Sequence, residues 1–234
     1  MKETIINNED VMDMLDSLLR EPSQFWDDFY TNQNKGIPFF VNKPDENLVD
    51  YVNKKIVHPG KVLELGCGPG RNAIFLTEQG FQVDAVDLSE VGLKWGQERA
   101  EEKNLAINFI REDIFKLSID EGAYDFVYDS GCLHHIAPHR RLSYIELVKK
   151  ALKPGGFFGL TCFVENGPLG GADISDWEVY RIGSLKGGLG YTEEKLKNIF
   201  YNFEVLEIRE MQDAKQLGVR SEERRVGKEC VKQC

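Results

Sequence analysis

The chain has 234 residues, a formal net charge of −10 and 41% hydrophobic residues. That length suits one domain, because single cores stop growing beyond roughly 250–300 residues, and no apolar run nears the roughly 18 residues a membrane span needs. The acidic balance speaks against nucleic acid, whose binding rests on clustered Lys and Arg that release counterions; His139, Arg140 and Arg141 form the best basic patch.

In chain order, the polar, acidic start lacks the basic and apolar regions of a signal peptide, which predicts a cytoplasmic protein. Val11, Met14, Leu15, Leu18 and Leu19 have helical spacing, closed by Glu21 and Pro22, and Phe25, Trp26, Phe29 and Tyr30 form a second helical stripe. Residues 35–44 read as a loop, and Asp45 caps a helix through Leu48 and Val52. From Lys61 onward strands and helices alternate, which implies a mostly parallel sheet covered on both faces. The predicted strands are 61–67, 81–88, 107–112, 124–129, 156–163 and 203–211; the predicted helices start at Arg71, after Ser89, at His139 and after Thr192. Lys153, Pro154, Gly155 and Gly156 supply a turn before the fifth strand. Residues 165–190, with glycines at 167, 170, 171, 183, 187 and 188, read as one long irregular loop of the kind that is functional or disordered.

The first strand runs into Glu64, Gly66, Gly68 and Gly70 and opens a helix. Glycines at such a turn let a ligand approach the backbone at the strand ends, where open α/β sheets bind. A pyrophosphate fingerprint would want glycine where Arg71 stands, so a ligand without pyrophosphate fits better. The stretch from Val62 to Gly70 resembles the first motif of class I S-adenosylmethionine methyltransferases, and later segments match that family in order over about residues 45 to 211. The resemblance implies a Rossmann-like doubly wound sheet and S-adenosylmethionine as cofactor. It places Glu64 near the methionine ammonium, Asp87 and Leu88 at the ribose, Asp113 and Ile114 at the adenine, and Asp129 under the amino-acid part. Asp125, mid-strand, is left outside the site.

The methyl group should point toward the segment after strand 4, which carries His134, His135 and His139. His titrates near neutrality and can take a proton from an alcohol, amine or thiol; equally, one imidazole can stack on the cofactor while another pins the turn. His135, His134 and Tyr30 are the catalytic candidates. The aromatic N-terminal segment is similar to that of the tellurite-resistance and thiopurine methyltransferases, which implies a small-molecule acceptor beneath a lid of residues 1–45 and a cap at 165–190. Five cysteines, at 67, 132, 162, 230 and 234, form neither a C-x-x-C pair nor a metal-type cluster, so neither disulfide nor metal is expected.

The family ends in an antiparallel strand beside the sixth. Here residues 220–234 resemble a translated sequencing adapter, an ordinary charged C-terminus being the alternative, so the domain is taken as 1–219 and that strand as missing. The rival functions are a silent S-adenosylmethionine-binding regulator, a protein methyltransferase, which the lid would obstruct, and a nicotinamide-dependent oxidoreductase.

Overall fold

The computed structural model describes residues 4–211 and the pair 227–228. Five parallel strands, β1 (Lys61–Leu65), β2 (Gln82–Asp87), β3 (Asn108–Arg111), β4 (Tyr124–Ser130) and β5 (Leu152–Phe163), lie in the order β3-β2-β1-β4-β5. Their side chains alternate between two cores. Val62, Phe126 and Tyr128 pack on one face with Leu48, Leu76 and Leu93, whereas Leu63, Leu65 and Val127 pack on the other with Tyr144, Phe158 and Phe200. The first core is covered by α3 (Glu46–Asn53), α4 (Arg71–Glu78) and α5 (Glu90–Glu102); the second is covered by α6 (Arg141–Ala151) and α8 (Glu193–Ile199). The strand order reverses between β1 and β4, and this opens a crevice at their carboxyl ends.

Two helices precede the sheet. α1 (Asn8–Asp16) starts in a reciprocal cap between Asn7 and Asp10. α2 (Pro22–Thr31) starts at Glu21, whose carboxylate accepts from Ser23 and Gln24 N–H, with Pro22 in the first turn. Glu21 and Pro22, expected to end the first helix, therefore begin the second. Both helices are tied down by charge. Asp27 of α2 accepts from Ser89 Oγ at 2.6 Å and from Val91 N–H at 3.2 Å, at the start of α5. Arg140 donates to Asp16, at 2.9 and 2.6 Å, and to Glu9 at 2.8 Å, both on α1.

Three expectations are corrected. Residues 203–211 form no strand; Phe203 instead buries its ring against Phe158 and Phe200. The long segment 165–190 contains α7 (Asp176–Ile182), capped by Ser175 accepting from Glu178 N–H, so it is irregular only at its ends. The turn at Lys153–Gly156 is absorbed into β5, whose register against β4 shifts between Tyr124 and Phe126. β6 (Gly227–Lys228) pairs antiparallel with Phe163 and Cys162 over two residues; the rest of the segment read as foreign, residues 220–226 and 229–234, lies outside the described residues.

Candidate functional site

The crevice is a cavity of about 1070 Å³ at the carboxyl ends of β1, β2 and β4, roofed by α2 and the end of α1. Of the residues singled out in the sequence, Tyr30, Glu64, Gly66, Gly68, Asp87, Leu88, Asp113, Ile114, His134 and His135 line it.

Its floor is the glycine turn. Gly66, Gly68 and Gly70 have φ of +65°, +50° and +72°, a region that side-chain-bearing residues avoid. A Cβ on Gly68 would stand 2.6 Å from Tyr30 Oη. Asp87 holds the turn from beneath, accepting from Gly68 N–H and Ser89 N–H at 2.8 Å each. Burial pushes its pKa up to about 6 even though those N–H groups oppose the shift. Glu64, the penultimate residue of β1, is 1% exposed and keeps one oxygen, Oε2, without a hydrogen-bond partner. Burial raises its pKa to about 8, with Arg71 and Asn72 pulling the other way. A buried, half-satisfied carboxylate costs stability unless a ligand completes it.

Two predicted contacts point elsewhere. Gly70 does not line the cavity: a Cβ there would meet the Phe109 ring at 3.0 Å and Gly96 Cα at 3.5 Å, so this glycine lets α4 pack against α5 and β3. Asp129 is fully buried beneath the loop that follows β4. Its carboxylate accepts from Cys132 N–H (2.7 Å), Leu133 N–H (3.0 Å) and Tyr144 Oη (2.6 Å), which leaves it turned away from the cavity. Asp125 binds Lys61 N–H and Lys153 Nζ at the opposite end of the strands.

Sequence reading missed the polar wall beside Glu64. Arg71 pairs with Asp45 at 2.6 Å and donates to Ser130 Oγ at 2.8 Å and Lys43 O at 3.1 Å. Ser130 Oγ and Tyr128 Oη both donate to Asp45, and Asn72 Oδ1 accepts from Asp45 N–H. Asp45 does stand at the start of α3, but its side chain makes no cap because these partners claim it. The available signal was Arg71 itself, a charge at the first turn of a helix otherwise buried on one face.

The other end is aromatic. His134 stacks on Phe163 at 3.7 Å and 15°, and its Nδ1 accepts from Phe163 N–H at 3.3 Å. Its carbonyl accepts from Leu189 N–H, so this residue clamps β5 to the cap segment. Burial drives its pKa well down. His135 meets Trp26 edge to face at 4.7 Å, and no described group hydrogen-bonds its ring nitrogens. Burial and nearby Arg20 lower its pKa to about 4, which keeps it neutral. Tyr30 lies over the glycine turn; the aromatic beside His135 is Trp26, one helical turn earlier. His139 lies between Tyr180 Oη, 2.7 Å from Nδ1, and Asp16, 3.0 Å from Nε2, and Arg141 pairs with Asp176 at 2.7 Å. Among the described residues no cluster of His, Cys, Asp and Glu could hold a metal ion.

A family profile described as "Methyltransferase domain" matches residues 62–156, which run from β1 through the glycine turn into β5. Residues 62–156 thus resemble a methyltransferase domain. It is similar to the probable S-adenosyl-L-methionine-dependent methyltransferase TehB of Haemophilus influenzae, 35% identical over 103 residues, which are 44% of this chain and 36% of that protein. The crystal structure of that TehB superposes with a TM-score of 0.58 at 23% identity, over 89% of this chain and 66% of that one. The 1,6-didemethyltoxoflavin-N1-methyltransferase of Burkholderia thailandensis superposes with a TM-score of 0.65 at 20% identity, over 100% of this chain and 92% of that one. The sequence match spans about a third of the Haemophilus relative's length.

The Haemophilus relative is described as S-adenosyl-L-methionine-dependent, and the site here has two features that suit such a ligand. The unpartnered Glu64 Oε2 suits an ammonium group, and the glycine turn with Asp87 suits a nucleoside lying flat across the strand ends.

Proposed function

We propose that this protein transfers a methyl group from S-adenosylmethionine to a small-molecule acceptor, working as a single domain over residues 1–219. The observation that carries the reading is Glu64 Oε2, buried and without a partner beside a turn of three positive-φ glycines on the floor of a deep cavity. In this reading Glu64 takes the methionine ammonium, Asp87 and Leu88 take the ribose, Asp113 and Ile114 flank the adenine, and Gly66 and Gly68 let the backbone come close. When bound, S-adenosylmethionine supplies a methyl group on a sulfonium already activated toward displacement.

The chain's own part is chiefly to orient the acceptor, which contributes up to ~7–11 kcal/mol in favourable cases. His135, neutral and with no described hydrogen-bond partner at its ring nitrogens, is the group to receive a proton; Tyr30 shields the turn from water. Residues 1–45 act as a lid and residues 165–190 as a cap, which leaves little room for a folded macromolecule. The Burkholderia enzyme with the same fold binds 1,6-didemethyltoxoflavin together with S-adenosylhomocysteine, which supports a small acceptor here. The free thiols of Cys67, Cys132 and Cys162 accord with a cytoplasmic setting, and the charge of −10 accords with a substrate other than nucleic acid.

Calorimetric titration tests the reading. S-adenosylhomocysteine binds with micromolar affinity, at least tenfold more weakly in Asp87→Asn, while NADH does not bind. A well-folded protein that ignores S-adenosylhomocysteine, or prefers NADH, overturns it.

A further inference from the structure

The cations that the sequence gathers at the acceptor end are spent inside the fold. Arg140 is held by Asp16, Glu9 and Asp13, with contacts of 2.6, 2.8 and 3.5 Å. Arg141 pairs with Asp176, and both nitrogens of His139 lie within 3.0 Å of Tyr180 or Asp16 oxygens. Arg20 lies flat on the Phe25 ring, 3.3 Å from its centroid. A small oxyanion would have to break an existing pair to reach Arg140 or Arg141, at the cost of leaving a carboxylate unpaired; Arg20, stacked through its face on Phe25, keeps its N–H groups available at the cavity wall.

What this end offers instead is flat apolar surface. Trp26, Phe163, Leu169, Leu185 and Leu19 line it, and His135 stands among them. Trp26 and His135 meet at 76° and His134 backs Phe163 at 15°, so the walls are ring faces and ring edges held in fixed relative orientation. Of the three imidazoles here, His134 and His139 each have Nδ1 committed to a protein partner, whereas no described group binds either ring nitrogen of His135.

We infer that the methyl acceptor is a flat aromatic or heteroaromatic molecule, slotted beside Trp26 and Phe163 with a hydroxyl, thiol or ring N–H turned to His135. The inference rests on the methyltransferase reading above. In the transfer, a lone pair on the acceptor's oxygen, sulfur or nitrogen forms the bond to the methyl carbon as that carbon's bond to sulfur breaks. The electron pair of the broken bond stays on sulfur and neutralises the sulfonium. The acceptor's proton passes to the His135 imidazole and from there to water, so charge and atoms balance with no further reactant.

The test uses the full chain saturated with S-adenosylhomocysteine, titrated with 4-hydroxyquinoline, 1-naphthol, cyclohexanol and tellurite, with binding read by calorimetry and tryptophan fluorescence. The flat probes bind saturably, at least tenfold tighter than cyclohexanol or tellurite. Trp26→Leu weakens the flat probes at least tenfold more than it weakens S-adenosylhomocysteine. Failure of S-adenosylhomocysteine to bind defeats the underlying reading. If it binds but neither flat probe saturates, or tellurite binds more tightly, or Trp26→Leu leaves the flat probes unaffected, the inference is overturned.

Discussion

Replacing Glu64 by Gln removes a titrating proton from the floor of the cavity while keeping the side chain's shape. The folded protein releases that proton at about 8, against an ordinary value of 4.5. Because the folded pKa is the higher one, the stability it lends is fully present below about 4.5 and is lost as the pH climbs through 8. At ~1.4 kcal/mol per pKa unit, the loss between pH 5 and pH 8 is about 3–4 kcal/mol. A chain of this size moves its Tm by roughly 2–4 °C per kcal/mol. The Tm of the cofactor-free wild type should therefore fall by about 6–16 °C more than that of Glu64→Gln over this interval. Asp87 and Asp129, raised to about 6 and about 7 by burial, slope in the same direction in both proteins and cancel from the comparison. Urea and thermal denaturation of the two proteins at both pH values provides the assay. Parallel pH profiles would show that Glu64 is ionised in the empty cavity and refute the reasoning.

Two further outcomes follow from packing and charge. Gly68→Ala forces a side chain into left-handed backbone, at about 1–2 kcal/mol, and drives its Cβ against Tyr30 Oη. In a Tyr30→Phe background the closest clash is removed, leaving a tight 3.2 Å approach to the ring carbon, and the backbone cost remains, so a double-mutant cycle by denaturation gives a coupling of about 1 kcal/mol or more. Arg140→Ala frees α1: its acidic partners are 45–66% exposed, so the stability loss is only about 1 kcal/mol. Amide exchange of residues 8–16 should nevertheless rise severalfold, with exchange in the sheet unchanged.

The sheet and its glycine turn were legible because each strand is a short apolar run ending at a polar or glycine residue, and such boundaries are local. The segment 203–211 shares that composition, but Phe203 finds two rings to pack on and no strand forms. α7 could have been found from Ser175 and Glu178, a capping pair hidden by the glycines around it. Asp87 and Glu64 were legible as carboxylates at strand ends. Asp129 occupies an equivalent place yet turns inward, because the loop after it presents two N–H groups within reach and Tyr144 a third donor. The Asp45–Arg71 pair spans 26 positions of sequence and depends on how α3 docks against α4, which no local pattern encodes. Likewise, the sequence placed His139, Arg140 and Arg141 near the acceptor end without revealing that α1 and α7 would supply partners for them.

The Asp27 contact at the start of α5 has a wider meaning. Helix N-termini are natural seats for phosphate, because free N–H groups and the helix dipole favour negative charge. Here a carboxylate from α2 already sits there, bonded to Ser89 and Val91. The protein thus brings its own anion. A ligand phosphate brought to the start of α5 would therefore meet a like charge instead of free N–H groups.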